Sequence, residues 1–260
     1  MIKAYFSKRK FNIILSACAF FTMWLIWLIA YYSVRNDYII PSFSETIKSF
    51  GVCLISADFW TAFAFTVLRT AGSFAISFVF ATALVASGAI FGKINAFIKP
   101  FIDVMRTLPT LAVVLILLFW TTPSVAPVVV TVLVLFPMIY AQLYAAVKGI
   151  DGGIIEMAEV YGIAKRERLT KMYLPMISPS ILAQTGANIS LGIKVMISAE
   201  VLAGTYESMG GLMQNARVYV DMPRLAALTL IAVLTGLCID LCFSFTEKFT
   251  FKWSKKESYA

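Results

Sequence analysis

The sequence predicts an all-α, polytopic membrane protein with about six transmembrane helices. Three observations predict it. The 260 residues are 60% hydrophobic and 14% charged, whereas soluble domains are about 45–50% apolar and about 25% charged. The apolar residues fall into long runs, and a bilayer crossing needs roughly 20 of them. The basic residues gather at alternate ends of those runs, as the positive-inside rule requires. The chain reads as a single transmembrane domain over residues 1–260.

The first run, Phe11–Val34, follows a basic N-terminus with Lys3, Lys8, Arg9 and Lys10. It is longer than the roughly 7–15 apolar residues of a signal-peptide core and ends without a small-x-small cleavage site, so an uncleaved span is expected. The loop from Arg35 to Phe59 holds Pro41-Ser42, then Ser44 and Glu45, the pattern of a turn and a helix start. A short surface helix would use it, although a simple connector is the plainer reading. The second run is Trp60–Phe91. The third, Leu108–Thr121, is short and carries Pro109, and the fourth, Val125–Val147, contains Pro127 and Pro137. Proline is tolerated in membrane helices where neighbours satisfy the freed carbonyls, so these two are expected inside the bundle, where a helix can break. The fifth run is Ile181–Ala203 and the sixth Leu225–Phe245.

Charge orients the runs. Of the 22 lysines and arginines, sixteen lie on one side. They are the N-terminal four, then Lys93, Lys99 and Arg106, then Lys148, Lys165, Arg166, Arg168 and Lys171, and finally Lys248, Lys252, Lys255 and Lys256. Arg35, Lys48, Arg217 and Arg224 lie on the other, and Arg69 and Lys194 fall within spans. Both termini and the loop after the fourth span are therefore expected in the cytoplasm of a plasma or inner-membrane protein. The net charge of +8 is explained by topology, and no nucleic-acid partner is expected.

The chemistry of catalysis is missing. There is no histidine, which removes the commonest general base and metal ligand. Cys18, Cys53, Cys238 and Cys242 offer no zinc set, since structural zinc needs four ligands, and no disulfide framework. No paired carboxylates stand at a catalytic spacing. The expectation is a transporter subunit, not an enzyme, with no cofactor or metal.

One segment, about residues 151–180, is polar between apolar runs. Asp151-Gly152-Gly153 breaks the chain. Ile155–Tyr161 can form two helical turns with Glu156 and Glu159 early, where the helix dipole favours acids. Gly162 can take the left-handed conformation that ends a helix. Lys165–Tyr173 can form a second helix, with Pro175 and Pro179 setting the start of the fifth span. Ala158 and Gly162 make a small-residue corner that another surface could approach, and Arg166, Arg168 and Lys171 supply charge for pairing or docking. An ordinary connecting loop, whose basic residues only set topology, fits the same residues.

The fifth span is the most polar. At 100° per residue, Gln184, Asn188, Ser190, Lys194 and Ser198 share an arc of about 160°. A lysine within the membrane costs about 2.5–3.5 kcal/mol and faces protein or water. These residues, with Glu200 near the span's end, are the candidate translocation path. The alternative is that Lys194 pairs with Glu200 or Asp240 and only holds helices together. Arg69 is expected to snorkel or pair.

The polar segment also resembles a known family. Glu156, Ala158, Gly162, Leu174 and Pro175 match the Glu-Ala-Ala, three residues, Gly, nine residues, Ile-x-Leu-Pro loop of permease subunits of binding-protein-dependent ABC importers. Met157 and Met172 replace the usual alanine and isoleucine. Met105-Arg106-Thr107-Leu108-Pro109 resembles the family's Arg-x-x-Pro start of a core span, and Ala199-Glu200 with Gly210-Gly211-Leu212-Met213 its external stretch, with Ser208 where glycine is usual. The taurine, sulfonate and nitrate type branch is the most similar. The resemblance implies a type I-like permease fold and a coupling helix that sits in a cleft on a separate cytoplasmic ATPase, present in two copies. It also implies a second permease copy or similar chain, and an extracellular or periplasmic solute-binding protein. This chain carries no Gly-x4-Gly-Lys-Ser/Thr phosphate loop. The scaffold of a vitamin-type (energy-coupling-factor) importer, and a secondary transporter working without ATP, are the rival readings. The transported substrate is not readable from these residues.

Overall fold

The computed structural model describes residues 2–36, 38–91 and 93–250. The basic residues Lys252, Lys255 and Lys256 lie outside the described residues, as do the side chains of Lys3, Lys8, Arg9, Lys10, Lys93, Lys165 and Lys248. The described residues form α1 (Ile2–Val34), α2 (Phe43–Ile55), α3 (Ala57–Phe91), α4 (Lys93–Thr107), α5 (Thr110–Leu117), α6 (Ala126–Lys148), α7 (Gly152–Val160), α8 (Lys165–Arg168), a π turn (Leu169–Tyr173), α9 (Leu174–Ala203), α10 (Met209–Val218) and α11 (Met222–Thr250). Among them, four helices are long and apolar enough to cross a membrane, and the bent pair α4–α5 makes up to a fifth. The apolar end of α1, Phe21–Val34, is shorter. The chain is a multi-pass, all-α membrane protein.

Of the third predicted span, Leu108–Thr121, only Thr110–Leu117 forms an α-helix, and it opens on a sharp bend. The chain turns by 91° between α4 and α5, and α5 has 8 residues, about 12 Å at 1.5 Å per residue. Pro109 lacks an N–H and pushes the residue before it out of the helical region, so the helix breaks there. The segment from Lys93 to Arg106, expected as a basic loop, is instead the helix α4. Ile94, Ile98 and Ile102 recur one turn apart. Ile102 is buried among Ala81, Val85, Ile139 and Tyr140, with Ile98 packed on that cluster. Lys93, Lys99, Asp103 and Arg106 around these isoleucines lower the mean hydropathy and hide the helix from a reading by apolar runs.

Helix α9 is the centre of the bundle and packs on α3, α6, α10 and α11. Close approach comes from small side chains. Along α3, Thr66, Thr70, Ser73, Ser77 and Ala81 are buried on one face. The hydroxyls of Thr70 and Ser73 return to backbone carbonyls, those of Thr66 (2.8 Å) and Arg69 (2.9 Å), while the Thr66 hydroxyl donates to the Glu200 carboxylate. Such a face lets helices pack closely without stranding a polar atom in hydrocarbon. The Ser42 side chain caps the Glu45 N–H at 3.2 Å, so the helix start read at Pro41-Ser42-x-Ser-Glu does open α2.

Candidate functional site

The polar segment folds as an elbow. α7 starts at Gly152, earlier than expected, because the Asp151 carboxylate accepts the Gly153 N–H at 2.8 Å and so caps the helix. Gly162 has φ +66°. The Gly162 N–H bonds the Glu159 carbonyl at 2.9 Å and the Ile163 N–H the Ala158 carbonyl at 3.0 Å, the pattern of a left-handed helix stop. No separate second helix then ends before the fifth span. From Arg166 to Ala203 the chain is one helical run of 38 residues, and the π turn joins α8 to α9. Pro175 and Pro179 sit in this run instead of interrupting it. The carbonyl that Pro179 cannot engage, that of Pro175, accepts the Ser178 hydroxyl at 2.9 Å.

Of the elbow's expected docking residues, Arg168 and Lys171 are paired within the chain and Ala158 is turned inward. Arg168 donates to the Ile163 carbonyl (2.8 Å) and pairs with Glu159 (2.9 Å), so its guanidinium braces the corner from within. Ala158 is 3% exposed and faces the interior. Lys171 pairs with Glu167 one turn away at 3.0 Å. Glu156, Gly162, Arg166, Leu174 and Pro175 remain at the surface. The elbow also exposes large apolar residues, Val160 at 86%, Tyr161 at 78% and Met157 at 55%. Sequence reasoning attended to the charges and passed over these. Their signal was a run of apolar residues on a helix too short and too acidic to enter the membrane.

The polar arc of α9 splits into two buried edges and an open centre. Asn188 is buried and exchanges two hydrogen bonds with Gln142 of α6, at 3.1 and 2.7 Å. Ser190 is buried against Gly236 of α11. Between these edges Lys194 and Ser198 are exposed and line a recess of about 210 Å³ with Thr110, Val114 and Val130. Gln184 lines a second recess of about 490 Å³ with Arg106, Gln142 and Ser180. Lys194 makes no ion pair among the described residues, so the pairing with Glu200 or Asp240 weighed from sequence is not made.

Glu200 does not belong with this face. It is 0% exposed and points to the other side of α9. The Thr66 hydroxyl donates to its carboxylate (2.9 Å), the Gly210 N–H donates at 3.2 Å, and Arg69 pairs with it at 3.2 Å. A helical count excludes it from the arc, since Glu200 lies about 80° beyond Ser190. Desolvating a carboxylate is costly unless a counter-charge and donors replace water, and all of them are assembled here.

The relatives of the chain agree with this architecture. The family described as "Binding-protein-dependent transport system inner membrane component" matches residues 79–250. The putative aliphatic sulfonates transport permease protein SsuC of Bacillus subtilis is 22% identical over 88% of this chain and 83% of its own length. The formylaminopyrimidine transport permease protein ThiX of Halalkalibacterium halodurans is 24% identical over 96% of this chain and 100% of its own. Among solved structures, a bacterial ABC transporter involved in import of the acidic polysaccharide alginate superposes with a TM-score of 0.65 at 14% identity, covering 88% of this chain and 96% of that one. The chain belongs to the family of inner-membrane components of binding-protein-dependent transport systems: it is an ABC importer permease, a transport subunit and not an enzyme.

Proposed function

We propose that the chain forms half of the transmembrane path of an ATP-driven importer, paired with a second copy or a similar chain. In this reading the α7–α8 elbow of each permease is held in the cytoplasm by an ATPase subunit. A solute-binding protein delivers substrate at the opposite end. The cytoplasmic placement rests on the charge asymmetry of the loops.

The observation that carries the reading is the elbow itself. It turns Met157, Val160 and Tyr161 outward on a segment outside the membrane, and exposed apolar clusters of this kind mark interaction sites. Beyond the Gly162 turn, which Arg168 braces to α7 through Glu159, the chain runs from Arg166 into α9 as one helical run. A partner that grips the elbow therefore moves the helix that carries Lys194. Exposure of Lys194 to lipid would cost about 2.5–3.5 kcal/mol. A second permease facing it encloses the open centre of α9 around water and removes that cost. Closure of the two ATPases on ATP then draws the elbows together and rocks α9, exchanging access from one side to the other.

The test is Gly162→Asp. A branched, charged side chain at a left-handed corner disturbs the docking surface while leaving the bundle intact. The expected result is at least a tenfold loss of co-purifying ATPase subunit with permease yield and melting behaviour unchanged. A purified complex that keeps its ATPase subunit and its transport rate would show that the elbow is not the docking element.

A further inference from the structure

Two of the three caps at the start of helix α10 come from other helices. Its first three N–H groups have no partner within the helix. The Met209 N–H goes to the Thr66 hydroxyl of α3 (2.9 Å), the Gly210 N–H to the Glu200 carboxylate of α9 (3.2 Å), and the Gly211 N–H to the Ser208 hydroxyl (2.8 Å). Glu200 thus stands at the positive end of the α10 dipole, and the Thr66 hydroxyl that receives Met209 donates in turn to Glu200. Arg69 pairs with Glu200 and also reaches the Glu207 carbonyl at 3.4 Å. Contact is close enough to forbid a side chain: a Cβ on Gly210 would lie 2.3 Å from the Glu200 Cβ and 2.6 Å from the Val201 nitrogen. The loop that leads into α10 is pinned as well, by the Thr205 N–H to the Glu200 carbonyl (3.1 Å) and the Thr205 hydroxyl to the Pro123 carbonyl (2.6 Å).

We infer that Glu200 is a positioning residue that makes α10 move with α9, so that displacement begun at the elbow reaches the opposite rim of the bundle. A helix end held only by its own residues would be free to lag behind α9. One whose cap is a buried carboxylate of α9 itself is not. The charge matters because Glu200 must accept from Arg69, Thr66 and Gly210 together, and a glutamine there turns an N–H₂ group toward donors. This inference rests on the importer reading, which supplies the ATP-driven motion.

The experiment uses the ATPase-bound complex in nanodiscs with two copies of the permease. Spin labels are carried by noncanonical residues at Leu202 of α9 or Tyr219 at the end of α10, both exposed. The copy-to-copy distance is measured with and without ATP and vanadate. In the wild type both distances are expected to change together. In Glu200→Gln the Leu202 change persists and the Tyr219 change falls below half. A Tyr219 label that still follows Leu202 in the variant overturns the inference. If neither label responds to ATP in the wild type, the importer reading fails and takes this one with it. Should Glu200→Gln not assemble, Thr66→Val removes one donor and the Met209 cap without changing charge, and the same two outcomes decide.

Discussion

The two ends of α9 are fastened by opposite means. At the elbow the bonds are local and wet: Arg168 reaches Glu159 and Ile163, all within one short stretch of chain, and the Glu159 side chain is 62% exposed. At the other end Glu200 meets residues more than 130 positions away on α3, in a pocket closed to solvent. The elbow keeps apolar surface outside, which the proposed reading assigns to a partner. The Glu200 cluster has its partners already; the carboxylate is fully buried and only Arg69 keeps some exposure. An element that docks must hold its form alone, through turn geometry and a local brace. An element that ties helices together gains most from contacts that no solvent can replace.

Three substitutions probe that contrast. The largest effect is expected from Arg69→Ala, which leaves the Glu200 carboxylate buried without its counter-charge. Losses from such half-pairs are about 3–5 kcal/mol, to be read as a lower thermal transition of the detergent-solubilised complex. A transition that stays in place would mean Glu200 is not charged in the folded protein. Next is Lys194→Met, which leaves packing nearly untouched and removes a costly intramembrane charge. Transport should fall at least tenfold, about 1.4 kcal/mol in barrier, while assembly stays equal or improves; uptake at the wild-type rate removes Lys194 from the path. The smallest effect is expected from Arg168→Ala. The partner is largely exposed, so at most about 1 kcal/mol of local stability is lost, seen as faster amide exchange confined to residues 158–168. Exchange that instead rises throughout α9 would place the brace in the bundle and erase the difference between the ends.

Much of this was legible before any coordinates. Four of the six apolar runs located crossing helices, α3, α6, α9 and α11, because a helix in lipid must be mostly apolar along its length. Gly162 announced its left-handed turn, because few other residues adopt it. Three features were hidden. The bend at Pro109 was expected only as a possible break, since a proline does not say whether neighbours will straighten the chain. Glu200 was grouped with the path residues for being polar, although its angular position on α9 argued against it. The matching polar face of α3, Thr66 to Ser77, was the available clue. Arg168 was read as a charge for pairing or docking without a named partner, because sequence spacing does not reveal that a chain reversal at Gly162 brings Glu159 back beside it.

The uninterrupted run from Arg166 to Ala203 also sets a distance. Its 38 residues extend roughly 57 Å, against about 30 Å of hydrocarbon. Even tilted by some 30°, more than 15 Å of it must stand proud of the lipid. In the proposed reading, with the overhang on the elbow side, the ATPase grips the elbow beyond the headgroup layer. A small angular change at mid-bilayer would then be magnified by the length of the overhang, trading long travel at the tip for force at the ammonium group of Lys194.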